Sequence, residues 1–231
     1  MAIKGFQGTS LLDFPGRIAS LVFLGGCNLS CPFCHNPDLV EAPDRLPDYP
    51  VEPLFEELEQ RRSFIDGVVI SGGEPTLYPD LLPFMRRIKQ MGLMVKLDTN
   101  GLLPGVLDEV LRQGLADLVA LDLKTAPGRY GELHDRPVDG TALQRSVALL
   151  LEGGVDYEFR TTCVPGLVRE DDIRQLGTLL KGARSWVLQQ FVPRYCMAAS
   201  YRALDPYPAS RLEGFAEIAR EFVPQVVLRG V

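Results

Sequence analysis

Strand-forming and helix-forming stretches alternate along almost the whole chain, and this alternation restricts the fold more than any other feature. Apolar runs predict strands over 18–24, 67–71, 94–99, 118–123, 157–164, 186–191 and 226–228. Helical periodicity between them predicts helices over 51–62, 80–91, 104–113, 141–152, 171–181 and 210–222. Leu54, Phe55 and Leu58 share one face of the first helix, Pro104 opens the third, and Gly153 and Gly154 close the fourth. About six βα units in a row make an α/β protein with a parallel sheet and helices outside it. Ahead of them, the extended stretch 4–10 and the turn Asp13-Phe14-Pro15-Gly16 predict a short hairpin within residues 1–17. The proline-rich stretch 41–50 and the stretch 194–208 read as loops.

An open sheet and a curled one both fit such a series, and the polar residues decide between them. A parallel strand covered on both faces is nearly all apolar. Here Asp98 and Asn100 share a strand face, as do Asp122 and Lys124, and Glu158, Arg160 and Thr162. They cluster near the C-terminal ends of their strands, where an α/β barrel keeps its site. The expectation is a partial TIM-type barrel in a single domain over 1–231.

Composition excludes several classes. With 46% hydrophobic and 23% charged residues in 231, the chain is neither disordered nor fibrous. A net charge of -6 argues against nucleic acid as a partner, and no apolar run approaches the ~18 residues of a membrane span. Leu24-Gly25-Gly26-Cys27 looks faintly like a lipoprotein cleavage site. The apolar stretch before it is too short for a convincing signal core, and Asp13 and Pro15 stand where a basic segment belongs. The expected location is therefore the cytoplasm. Five cysteines, three of them crowded together, make a thiol site in a reducing compartment rather than a disulfide framework.

Those three are Cys27, Cys31 and Cys34, spaced CxxxCxxC directly after the first predicted strand. Three cysteines in eight residues are too dense for packing alone. A redox dithiol at Cys31 and Cys34 leaves Cys27 unexplained. A zinc ion needs a fourth ligand, for which the distant Cys163 or Cys196 would have to serve. A [4Fe–4S] cluster on three thiolates keeps one iron open for a substrate or cofactor, whereas electron-transfer clusters normally take four. Other segments have bland readings of their own. Ser71-Gly72-Gly73-Glu74-Pro75 passes for a βα turn. Asp98 and Asp122 pass for ion pairs lining a lumen, Arg160 for a structural partner of Glu158, and Phe33 for loop packing.

Taken together, the triad, its place after the first strand and the βα series resemble the radical S-adenosylmethionine enzymes. The motifs Gly5-Phe6-Gln7-Gly8-Thr9-Ser10, Asp13-Phe14-Pro15-Gly16 and Cys34-His35-Asn36-Pro37 narrow the resemblance to the glycyl-radical activating enzymes. The nearest resemblance is to the activating component of anaerobic ribonucleoside-triphosphate reductase. Alternatives are a pyruvate formate-lyase-type activase and a small-molecule enzyme like the 7-carboxy-7-deazaguanine synthases.

The resemblance implies that Cys27, Cys31 and Cys34 hold a [4Fe–4S] cluster that reductively cleaves S-adenosylmethionine. The resulting 5′-deoxyadenosyl radical then takes hydrogen from a glycine of the partner. It implies cofactor contacts from Phe33, His35, Gly72, Gly73, Glu74, Asn100, Asp122, Lys124, Arg160 and Gln190, with Gln189 the alternative to Gln190. It also implies a monovalent cation held by Asp98 and Asp122, although Ala120 departs from the pyruvate formate-lyase activase beside that site. Without a second cysteine cluster, electrons are expected from a flavodoxin or ferredoxin. His134 reads as a surface or loop residue.

Overall fold

The computed structural model describes residues 1–134 and 137–231. Eight strands form one sheet in sequence order: β1 (Ile3–Ser10), β2 (Ala19–Leu24), β3 (Gly67–Gly72), β4 (Met94–Thr99), β5 (Leu118–Asp122), β6 (Asp156–Cys163), β7 (Ser185–Gln190) and β8 (Gln225–Arg229). β1 pairs antiparallel with β2, while β2–β3, β3–β4, β6–β7 and β7–β8 pair parallel. The connecting helices are α1 (Pro37–Glu41), α2 (Val51–Arg61), α3 (Leu81–Gln90), α4 (Pro104–Arg112), α5 (Gly140–Glu152), α6 (Glu170–Leu179), α7 (Ala199–Arg202) and α8 (Ala209–Arg220). This is the expected α/β class, with the sequential strand order of a TIM-type series. One detail differs from the sequence reading. The N-terminal hairpin is not confined to 1–17, because the partner of β1 is β2, the strand that leads to the cysteines. Among the described residues no helix is long and apolar enough to cross a membrane.

The described chain divides into two compact units. The first holds residues 1–28, 38–99 and 105–120. Alternation along its strands sorts the side chains into two sets. Val22, Leu24, Val68, Ile70, Val95 and Leu97 pack with Leu54, Leu58, Phe84 and Ile88 of α2 and α3. The opposite face carries Leu21 and Val69, packed with Phe14, Ala19 and Met94. Lys96 falls on that second face, beside Val69 in the β3–β4 register.

The second unit holds residues 29–37, 100–104 and 121–231. Phe159, Trp186, Leu188, Leu212 and Phe215 are buried there, and the Trp186 indole donates to Thr161 Oγ1 at 3.0 Å. Asp139 caps α5 by accepting from the Thr141 amide at 2.9 Å, so the helix starts one residue earlier than its periodicity suggests.

Candidate active site

In the first unit, two glycines fix how the chain enters the cysteine loop. The Gly73 amide donates to Leu24 O and the Glu74 amide to Gly26 O, each at 2.8 Å. A Cβ on Gly73 would stand 1.9 Å from Gly26 O. A Cβ on Gly72, whose φ is +117°, would stand 2.4 Å from Leu24 N and O. Gly25 and Gly26 donate to Ala2 O and Leu39 O at 3.0 and 2.6 Å, and the Tyr78 hydroxyl donates to Gly25 O at 2.6 Å. The turn reading of Gly72-Gly73 therefore understates their role. Only hydrogen side chains let the two backbones meet.

Glu74 is buried, at 1% exposure, and its carboxylate faces inward. Its Oε1 accepts from the Thr76 amide at 3.0 Å and from Thr99 Oγ1 at 2.7 Å, capping the turn Pro75–Leu77. Asp98, at the end of β4, accepts from Ser71 Oγ at 3.2 Å through Oδ2. Its Oδ1 takes the Lys96 ammonium.

In the second unit, the rest of the cysteine loop is tied to other segments. Ser30 Oγ lies 2.8 Å from His134 Nδ1, the Ala198 amide donates to Pro32 O at 2.9 Å, and His35 Nε2 donates to Val192 O at 2.8 Å. His134, read as a surface or loop residue, is thus bound to the cysteine loop. The Cys34 amide donates to Cys31 O at 2.9 Å, and Phe33 is buried between these two cysteines in sequence. Asn100 Oδ1 accepts from the Leu102 amide at 3.0 Å, which shapes the turn at Gly101.

Asp122, at the end of β5, is gripped from two sides. Arg160 Nε donates to Oδ1 at 2.8 Å and Lys124 Nζ to Oδ2 at 2.9 Å. Burial works against ionisation of Asp122, but the charges of Arg160 and then Lys124 outweigh it and hold the carboxyl well below the usual range. Burial likewise opposes the charge on Lys124, and Asp122 and then Cys31 more than restore it. Asp122 thus holds two cationic side chains, Arg160 and Lys124, next to one another.

One bland reading and one expected contact need correcting. Arg160 pairs with Asp122, not Glu158, which instead binds Arg229 of β8 at 2.9 Å. Gln190 is turned away from Arg160. The register matches Arg160 with Val187 and Thr162 with Gln189, so Gln189 shares the Arg160 face and Gln190 the opposite one. The Gln190 amide donates to Tyr207 O at 2.7 Å and accepts from the Phe191 amide at 3.0 Å.

A model of the Radical SAM superfamily matches residues 21–176. The chain is a radical S-adenosylmethionine enzyme. It is 32% identical, over 99% of its length and 96% of the relative's, to a protein of Methanocaldococcus jannaschii named as a glycyl-radical enzyme activating enzyme. The pyruvate formate-lyase 1-activating enzyme of Escherichia coli K12 is 33% identical over 74% of this chain and 70% of its own. Among solved structures, Streptococcus suis SuiB superposes with a TM-score of 0.69 at 17% identity, over 91% of this chain and 48% of that one. A domain of the Bacteroides vulgatus pyruvate-formate lyase-activating enzyme gives 0.58 at 20% identity, over 71% and 99%. At such identities the structural likeness speaks for the fold. The sequence relatives place this radical S-adenosylmethionine enzyme with the glycyl-radical activating enzymes.

Members of the family use a [4Fe–4S] cluster and S-adenosylmethionine, and the chain carries thiols of the kind such a cluster takes. None of Cys27, Cys31 and Cys34 is in a disulfide; Cys31 is buried and the other two are half-buried. Cys163 is a free thiol of a different kind, since burial alone pushes its pKa up to about 12. Burial also raises Cys196, with Cys34 adding to the shift. At the residues read for a monovalent cation, the carboxylates are already engaged. Each oxygen of Asp98 and of Asp122 already accepts a donor from the chain, and each carboxylate already carries an ammonium.

Proposed function

We propose that Cys27, Cys31 and Cys34 hold the cluster, and that the enzyme sets a radical on a glycine of the large subunit of an anaerobic ribonucleoside-triphosphate reductase. When bound, the cluster and S-adenosylmethionine supply the hydrogen-abstracting radical. The chain's own residues bind and orient. Backbone at Gly72, Gly73 and Glu74 receives the amino group of the cofactor's methionine part. Arg160 and Lys124, aligned by Asp122, take its carboxylate. Phe33 packs against the adenine, and Gln189 replaces Gln190 as the group that reaches the ribose hydroxyls. His35 holds the loop through Val192 O rather than touching the cofactor with Nε2. A flavodoxin or ferredoxin delivers the electron, and the chain works in the cytoplasm.

The observation that carries this reading is similarity over 99% of the chain to a relative named for glycyl-radical enzymes in general. The reductase as target rests on the motifs around Gly5–Ser10, Asp13–Gly16 and Cys34–Pro37. A pyruvate formate-lyase-type target is the second reading. It is favoured by the Streptococcus mutans activating enzyme of that type, 31% identical over 92% of this chain.

Two experiments test the proposal. Iron and sulfide analysis after anaerobic reconstitution should find no cluster in Cys27→Ala, Cys31→Ala or Cys34→Ala, and a full one in Cys163→Ala and Cys196→Ala. Full iron loading of any triad variant would sink the ligand assignment. Reduced enzyme with S-adenosylmethionine should give a doublet in the electron paramagnetic resonance spectrum of the reductase subunit. Deuterium on the target glycine should appear in 5′-deoxyadenosine. A doublet in a pyruvate formate-lyase-type protein alone selects the second reading, and turnover of a purine-like small molecule with no glycyl radical overturns both.

A further inference from the structure

We infer that the Lys96 side chain is a built-in replacement for a monovalent cation, so that cofactor binding by this enzyme needs no potassium or sodium. The inference rests on the proposed cofactor site, to which it adds one positioning residue. Lys96 lies mid-strand in β4, and its side chain is only 2% exposed. Its neighbours on that sheet face are apolar, with Val69 beside it in register and Leu21 beyond. A lysine there loses its hydration, and an opposite charge must compensate it. Asp98, two residues on and on the same face, supplies that charge through Oδ1.

The second oxygen of Asp98 accepts from Ser71, the residue just before Gly72 and Gly73. The ammonium therefore sits against the same carboxylate that a bound cation would need. A metal cation entering there would face a like charge in a setting poor in water, where repulsion is strong. A tethered ammonium also differs from an ion in kind. Its position is set by covalent bonds and does not depend on salt. Through Asp98 it steadies the Ser71 end of β3 and the glycine turn that follows.

Two measurements on the full chain test this. The first needs no cofactor: thermal unfolding of the cluster-free protein in potassium, sodium and tetramethylammonium chloride at equal ionic strength. The wild type should melt alike in all three, and Lys96→Gln should be stabilised by potassium or sodium over tetramethylammonium. The second is the affinity of cluster-loaded protein for S-adenosylmethionine in the same salts. The wild type should vary less than about twofold, and Lys96→Gln should lose on the order of thirtyfold in tetramethylammonium and recover part of it in potassium. Saturable stabilisation or tighter cofactor binding of the wild type by potassium would overturn the proposal. So would a Lys96→Gln protein that binds the cofactor normally in every salt. If Lys96→Gln does not fold, the wild-type arms decide. Wild-type protein that melts alike in all salts yet binds no S-adenosylmethionine would count against the proposed function, while the melting result upholds the lysine.

Discussion

The chain contains two lysine–aspartate pairs two residues apart on strand faces, and they are built differently. Lys96 and Asp98 on β4 are nearly sealed, with side chains 2% and 14% exposed. Asp122 at the end of β5 and Lys124 just beyond it are 28% and 21% exposed, and Arg160 joins them at 17%. The first is an ion pair set into an apolar face. The second is a more exposed group in which Asp122 holds two cations. A sealed pair acts on the frame around it, whereas the cations of a more exposed group can be reached by an incoming anion. Under the proposed function, the same short pattern in sequence serves position in one unit and binding in the other.

The largest effect separating the two should come from Asp98→Ala. Removing one partner of a buried pair strands the other charge, and the cost to stability should be about 3–5 kcal/mol by urea unfolding. A loss no greater than that of an exposed pair would erase the distinction. Next come Asp122→Ala and Arg160→Ala. Both should keep the cluster and weaken S-adenosylmethionine binding by about 2–5 kcal/mol, measured by equilibrium dialysis under anaerobic conditions. Their cost to stability should be smaller, about 1–2 kcal/mol, between the values for exposed and buried pairs. Unchanged cofactor affinity in both would make the open group merely structural.

A subtler contrast lies in acid. The folded pKa of Asp122 is depressed, so its contribution to stability is fully present above its unfolded value of about 4 and is lost as pH falls toward the folded one. Unfolding free energies between pH 5 and 2.5 should fall less steeply in Asp122→Asn than in the wild type. Equal slopes would refute that linkage. The smallest change should follow Glu170→Gln, which removes an exposed pair with Arg211 and should shift stability by no more than ~0.5 kcal/mol. It sets the baseline against which both groups are judged.

Much of this was legible in the sequence, because strand and helix periods are local. Residues 94–99 are read as a strand and form one with those bounds, and the helix read over 51–62 ends one residue sooner. The short helices Pro37–Glu41 and Ala199–Arg202 escape, since one turn is too little to display a period. The cysteine triad and the glycine turn stand out because their chemistry is packed into a few residues. Partners far apart in sequence do not. Nothing near Glu158 points to Arg229, 71 residues on. Nothing near Ser30 points to His134. Choosing between Gln189 and Gln190 requires knowing which residue of β6 lies opposite Val187. Lys96 was visible in principle. A lysine inside an otherwise apolar strand, two places before an aspartate, asks for an internal partner.

The contact between Gly73 and Gly26 also bears on how this enzyme can be altered. The entrance to the cysteine loop is held by main-chain atoms, so no change of side chain elsewhere can easily make good a lost glycine. In a library of all single substitutions, Gly73 should tolerate fewer replacements than Phe33 or His35. Designers who wish to retune the chain would leave the glycine turn untouched and vary the more exposed Asp122, Lys124 and Arg160 group.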